Sequence, residues 1–438
     1  MTDSQVDVVI IGGGPAGSTA AALLAEAGRR VVVLEKSRHP RFHIGESLLP
    51  ASLPLLQRLG VASQIEAIGL TKHGAEFFSP AHCRWQRFDF ADSWNKTLCY
   101  AYEVRRSSFD AILLRRAGAL GAQVVEGCRA REVEFPDGEG VAVHSQHEDG
   151  SPQCWRARYL VDASGRDTVL GTRLGTKRRN RHHNSSAMYA HFRGAWRSED
   201  AHRAGDISIF WFDYGWFWFI PLADGITSVG AVVWPHYMKT RAVPLQEFFL
   251  RTIALSPPLA KRLESATLAS EVEATGNYAY ACRRAHGDRF LLVGDAYAFV
   301  DPVFSSGVMF AMHSGIAAAE AIDEALRAPA RRRHAFRRFE RRVRHGPRVF
   351  SWFIYRMTRP AMQNLFMAPR NVLRMKEALL SLLAGDIFGT TPIWASLRAF
   401  KVVYYAMTLA HPRTSLAALR ARARNLRPIQ PERAAAGG

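Results

Sequence analysis

Cysteine is scarce in this chain. Cys83, Cys99, Cys128, Cys154 and Cys282 are five among 438 residues, an odd number without a CxxC pair or metal-ligand spacing. A disulfide framework and a zinc site are therefore not expected, and a reducing cytoplasm is. Acidic residues are also few, with 39 Asp and Glu against 58 Lys and Arg and a formal charge of +19. Such an excess attracts anions in general and names no particular one. Long apolar runs are missing as well: no stretch reaches the roughly 18 uncharged apolar residues of a spanning helix. The opening MTDSQVDVVI lacks the basic segment of a secretory leader, so none is expected. There is no internal repeat. With 48% hydrophobic and 22% charged residues, the composition excludes disordered and fibrous classes and leaves a globular protein with a large core.

What the chain does have is a complete nucleotide-binding signature near its start. Residues 6–11 form a β-branched run that closes on Gly12-Gly13-Gly14-Pro15-Ala16-Gly17. An Ala-rich helical stretch follows, then a second strand at 31–34 that ends in Glu35, 23 residues beyond Gly12. Strand, glycine turn, helix, strand and acid in that order are the βαβ dinucleotide fingerprint. Gly12 permits the tight turn, Gly14 lets the backbone approach a pyrophosphate, and Gly17 lets the helix sit close to the strand. The helix start, with Pro15 and Ala16, offers free N–H groups to the phosphates. Glu35 accepts hydrogen bonds from the adenosine ribose. The alternative for the glycines is a plain tight turn at a strand end.

Further along, the pattern predicts a helix over 51–59, one strand over 71–78 and a well-capped helix over 107–119. Alternating segments at 123–134 and 140–145 flank an Asp137-Gly138 turn. A buried strand at 158–161 runs into Asp162-Ala163-Ser164-Gly165-Arg166. Residues 187–233 alternate aromatic and polar side chains, as in a broad antiparallel sheet. A strand at 290–293 enters Gly294-Asp295-Ala296, and 307–326 is an apolar helix.

These three spaced motifs, with Pro302 and Gly307 after the third, resemble those of FAD-dependent monooxygenases with the fold of p-hydroxybenzoate hydroxylase. The resemblance implies an α/β (α+β) architecture: a Rossmann-like FAD-binding domain over 1–72, 100–185 and 275–328, an antiparallel-sheet substrate domain over 73–99 and 186–274, and a helical region over 329–438. It also implies cofactor contacts at Arg106, Asp162, Gly165, Asp295, Pro302 and Gly307. A helix starting near Gly307 would aim its positive end at the flavin ring. Arg106 could otherwise be a surface arginine at a helix start.

One segment narrows the resemblance. Trp216, Trp218, Ile220 and Pro221 form WxWxIP, which resembles the signature of flavin-dependent halogenases. In that family the bulky pair keeps substrate away from the flavin, a task suited to residues i and i+2 on one strand face. Aromatic core packing is the plainer alternative. Lys72, before Gly74-Ala75, resembles the family's catalytic lysine, and burial would lower its pKa and free its amine; by itself it could be a strand-end lysine reaching solvent. Ser306 and Gly307 match the small residues whose amides hold halide. Phe304 stands where tryptophan halogenases have a glutamate, which favours the phenol or pyrrole branch. Residues 381–388 extend the resemblance toward the C-terminus.

The activity so implied is FADH2- and O2-dependent chlorination or bromination of an electron-rich aromatic in secondary-metabolite or pigment biosynthesis. FAD, halide and O2 are the expected cofactors, and no metal is expected. The single fingerprint implies that a separate reductase supplies FADH2. His73 and Glu76 are candidate bases. Residues 331–348 carry nine arginines with Phe336, Phe339 and Val343 at helical spacing. That helix could face solvent, an acidic acyl carrier protein that presents the aromatic substrate, or anionic lipid. No nucleic-acid module is recognisable. A hydroxylase, a polyprenyl reductase and a flavin-carrying sensor are rival readings on the same fold.

Overall fold

The computed structural model describes residues 3–136, 140–180, 183–276 and 279–426. Its centre is a seven-stranded sheet built around Asp3–Ile11. This strand pairs in parallel with Val31–Glu35 on one side and Pro152–Asp162 on the other, and Gln123–Glu126 extends the parallel run. Strand Pro152–Asp162 shares one edge between two partners. Its first half pairs antiparallel with Val141–His147, and its last three residues pair in parallel with Phe290–Leu292. Val31–Glu35 is buried from end to end, and the stretches Val8–Ile11 and Tyr159–Asp162 beside it are buried too, as strands covered on both faces must be. Helices Pro15–Glu26 and Gly307–Arg327 pack tightly on each other over this sheet; a Cβ at Gly315 would lie 2.5 Å from the Ala16 carbonyl oxygen.

A second sheet has eight strands. Its order runs from Arg84–Asp89 through Gly74–Ser79, Ile207–Phe212, Gly215–Pro221 and Ile226–Val233 to Ser186–Arg193, which carries Thr267–Leu268 and Glu273–Gly276 on its outer edge. Alternation assigns the aromatics to opposite faces. Phe210, Phe217 and Phe219 lie in one apolar cluster with Phe248, Phe249 and Ile253 of helix Leu245–Ala254. Ile209, Trp211, Trp216 and Trp218 lie in another, shared with the C-terminal helices from Arg332–Ile354 onward. Among the described residues, no helix is long and apolar enough to cross a membrane.

Three local expectations are corrected. The predicted strand over 71–78 is broken at His73: Leu70–Lys72 pairs with Ala101–Glu103 in a separate two-stranded sheet, and Gly74–Ser79 joins the large one. Asp206 makes the break, since its carboxylate accepts hydrogen bonds from the amides of His73 at 3.1 Å and Gly74 at 2.7 Å. The predicted cap on the helix after Arg105 is absent; helix Arg106–Ala119 starts without a side-chain cap. Segment 123–134 is two strands, Gln123–Glu126 and Cys128–Glu134. The Asp137-Gly138 turn lies outside the described residues.

The arginine-rich helix docks as its spacing predicts, with Phe336, Phe339 and Val343 buried. Its charge, however, is partly consumed within the molecule. Arg338 pairs with Glu324, Arg342 with Glu320, Arg344 with Glu340 and Arg332 with Asp288.

Candidate active site

The parallel strands end at one edge of their sheet, and there a cavity of about 530 Å³ opens toward the large sheet. Open α/β sheets bind ligands at this edge. Gly12, Gly14, Pro15 and Ala16 line it. Gly12 sits at φ +102°, and a Cβ on it would lie 2.4 Å from the Ala163 carbonyl oxygen. Around Gly14 the space is open, with only the Arg41 guanidinium 3.7 Å from a hypothetical Cβ. A phosphate can therefore approach this backbone, with Arg41 beside it. Gly17 is the one fingerprint glycine absent from the lining; its Cβ would meet the Gly12 carbonyl oxygen at 1.9 Å, so it serves helix packing.

Glu35 is buried at the cavity wall and accepts hydrogen bonds from the amides of Gly13 at 2.7 Å and Ser37 at 2.9 Å. Its carboxylate keeps lone pairs for ribose hydroxyls. Arg106 lines the cavity and is buried, not a surface residue. Asp110 holds it through two hydrogen bonds of 2.8 and 3.1 Å, and it donates to the Ile44 carbonyl at 3.1 Å. Gly165, Asp295, Pro302 and Gly307 also line the cavity. Desolvation pushes the Asp295 carboxyl up to about 6, against the opposing pull of Arg106 and Arg166. Asp162 differs from the expectation, because it is fully buried outside the cavity lining. Its carboxylate accepts from Ser164 N and Oγ and from Leu170 N, so it shapes the turn that presents Ala163 to Arg166. Burial raises its pKa as well.

Trp216 and Trp218 form the opposite wall together with Tyr189, Ile207 and Ile220. The indoles lie 6.1 Å apart, and Trp218 Nε1 donates to Ser228 Oγ at 3.2 Å. Gly230 provides the slot for Trp218: a Cβ there would fall 2.2 Å from the ring. Gly230→Ala should therefore press the indole out of its slot toward the cavity. FAD affinity, measured by fluorescence quenching, is expected to fall by about tenfold, consistent with roughly 1–3 kcal/mol of overpacking.

Lys72 is fully buried. It ends its strand, and its ammonium does not line the cavity. It donates to Ser47 Oγ at 2.7 Å and to the Leu48 carbonyl at 3.1 Å, and lies 3.7 Å from Glu103 Oε1. Ser47 does line the cavity, so one hydroxyl separates the amine from it. Burial lowers the Lys72 pKa, and the nearby Glu103 carboxyl opposes that shift. Glu103 is pushed up to about 8 by burial, against the pull of Lys72. Its unfolded value is about 4.3, so Glu103 contributes stability that is full below that value and lost as pH rises through about 8. Wild type minus Glu103→Gln, in urea unfolding free energy, should accordingly decrease from pH 4.5 to pH 8.

The two candidate bases lie elsewhere. His73 stacks on His202 with ring centres 4.0 Å apart, outside the lining. Glu76 is bound by Arg203, Arg262 and Ser208, a buried charge cluster that ties strand to helix. Sequence reasoning missed Glu46, which lines the cavity and meets His191 Nε2 at 3.0 and 3.2 Å. Its only signal was its place in Gly45-Glu46-Ser47, next to the residue that touches Lys72.

The loop before helix Gly307–Arg327 completes the site. Ser305 lines the cavity at φ +54°, and Gly307 faces open space. Ser306 is buried and does not line it. The helix start leaves amides free for an anion. Phe304 is turned away, buried against Phe350 and stacked on Phe366 at 6.2 Å.

A nucleotide fingerprint at the strand ends, a cationic wall and a helix start opposite an aromatic sheet define a flavoprotein of the FAD-binding class. The FAD-binding domain family model matches residues 5–345. A 1H-pyrrole-2-carbonyl-[peptidyl-carrier protein] chlorinase of Pseudomonas fluorescens is 32% identical over 89% of this chain and 91% of its own. A tryptophan 2-halogenase of Chondromyces crocatus is 36% identical over 73% of this chain and 61% of its own. The myxobacterial chondrochloren halogenase CndH superposes with a TM-score of 0.77 at 33% identity, over 87% of this chain and 90% of its own. The chain thus belongs to the FAD-binding domain family and, within it, to the flavin-dependent halogenases.

Proposed function

We propose that the protein halogenates an electron-rich aromatic ring, a phenol or pyrrole, using reduced FAD, oxygen and chloride or bromide. Lys72 carries this reading. An amine desolvated by burial and held one hydroxyl from the cavity is placed to bind or react with hypohalous acid. When bound, reduced FAD supplies the two-electron activation of oxygen that oxidises halide. The remaining work falls to this chain's own residues. Gly12, Gly14, Pro15 and Ala16 present amides to the pyrophosphate, with Gly17 seating their helix. Glu35 takes the ribose, and Arg106, Gly165, Asp295 and Pro302 position the rest of the cofactor. Asp162 acts through the turn it shapes. Ser306 and Gly307 offer backbone amides to the halide, and Trp216 and Trp218 bar the aromatic from the flavin. Ser47 orients the Lys72 ammonium, and Glu103 tunes its charge.

The carrier-protein chlorinase among its relatives favours a substrate tethered to an acidic carrier, and the single fingerprint favours a separate reductase. A cytoplasmic setting fits the cysteine usage. The test is mass spectrometry of reactions with purified protein, FAD, a reductase with NADH, oxygen and bromide, over phenols and carrier-bound pyrrolyl acids. Bromine isotope doublets support the proposal. Products that gain only oxygen overturn it in favour of a hydroxylase.

A further inference from the structure

Past the ion-paired arginine helix, the chain gathers a second group of cations. Arg356 stands 4.6 Å from the Trp352 ring centre and donates to Tyr405 Oη at 3.3 Å. Arg359 donates to Tyr404 Oη at 3.5 Å, and the same Tyr404 ring lies 5.8 Å from Arg356. Lys401 approaches Trp352 at 4.8 Å. Arg422, from helix Pro412–Leu426, donates to the carbonyl of Tyr355, next to Arg356. Among the described residues, no carboxylate lies within 4.0 Å of the Arg356, Arg359 or Lys401 charge. The Nε donors of Arg356 and Arg359 are buried without an acceptor. The Arg422 guanidinium is pushed down to about 10 by burial and by repulsion from Arg359 and Arg356.

Cations from three segments, walled by indole and phenol rings and half-buried, thus meet here, and the Arg356 and Arg359 Nε donors find no acceptor among the described residues. Oxygen-rich anions satisfy such forks, which bind phosphate in bidentate fashion. The cluster is also wired to the cavity loop. Arg422 donates to His183 Nδ1 at 3.4 Å, so the proton sits on Nε2, which donates to Asp301 at 3.1 Å. Asp301 in turn caps the turn Pro302–Phe304, just before Ser306 and Gly307.

We infer that Arg356, Arg359, Lys401 and Arg422 form a binding site for a phosphoryl group, the phosphodiester of a carrier protein's pantetheine arm. The aromatic walls suit the apolar part of such an arm. The carrier assignment rests on the proposed tethered substrate; the phosphoryl site itself does not. Calorimetric titration of FAD-loaded protein tests both without turnover, so the result stands even where halogenation fails. 4′-Phosphopantetheine should bind at least about tenfold tighter than pantetheine, and Arg356→Gln with Arg359→Gln should erase that difference while FAD affinity is unchanged. Should the double variant misfold, Lys401→Gln and the loss of affinity with salt give the same readout. Equal binding of phosphopantetheine and pantetheine overturns the site. Inorganic phosphate binding as tightly as phosphopantetheine overturns the carrier assignment, as does binding only to anionic phosphatidylglycerol vesicles.

Discussion

Lys72→Ala is expected to cut halogenation by about two to four orders of magnitude, the range for removing a group that acts in the transition state, while NADH-driven flavin oxidation continues. The separation follows from position. Lys72 is outside the cavity lining, so its loss leaves the FAD wall in place. Stripping one partner from a buried ion pair ordinarily costs about 3–5 kcal/mol. Here the orphaned Glu103, with a pKa pushed up to about 8, can remain protonated at neutral pH, so the fold should survive. Lys72→Met, which keeps the packing, should behave alike. The measurement is brominated product against oxygen consumed, with circular dichroism as the check on folding. A parallel fall in flavin oxidation would remove Lys72 from the chemistry and make it a structural residue.

Gly17→Val should weaken the cofactor site strongly. A Cβ at Gly17 would sit 1.9 Å from the Gly12 carbonyl oxygen, a backbone atom that cannot yield without moving the turn. Helix Pro15–Glu26 must then slide away from its strand, and the phosphate amides move with it. Overpacking of about 1–3 kcal/mol corresponds to roughly ten- to hundredfold weaker binding, and the β-branched valine belongs at the upper end. FAD retention after gel filtration reads the effect directly. Gly14→Ala is the contrast: its Cβ meets only the flexible Arg41 guanidinium at 3.7 Å, so it should lose far less.

Much of the FAD-binding half was legible because its signals are local. The turn at Gly12, the acid at Glu35 and the motifs at Asp162 and Asp295 each follow a strand end, and parallel pairing brings strand ends to one edge. Trp216 and Trp218 share a face by simple alternation, so the cavity wall was readable too. What escaped depended on contacts distant in sequence. Asp206 breaks the strand at His73 from 133 residues away. Glu103 reaches Lys72 through strand pairing, and Glu46 finds His191 at a separation of 145. Glu76 resembled a base because nothing near it in sequence reveals Arg262, 186 residues on. The nine-arginine helix hides its balance in the same way: three of the four acidic partners named above lie on other segments, and the less conspicuous cations at 356 and 359 meet those at 401 and 422 only in three dimensions.

The break at His73 also bears on how this enzyme can be retooled. Lys72 is seated by the two-stranded sheet and by Ser47, whereas Phe77, Ile209 and Trp211, beyond the break, belong to the large sheet and the apolar cluster beneath the C-terminal helices. One short peptide stretch thus links two parts that are held by different neighbours. Recutting the cavity wall at Ile207 or Ile220, which the large sheet carries, leaves the amine's seat untouched, so the shape of the cavity and the chemistry become separately adjustable parts of one chain.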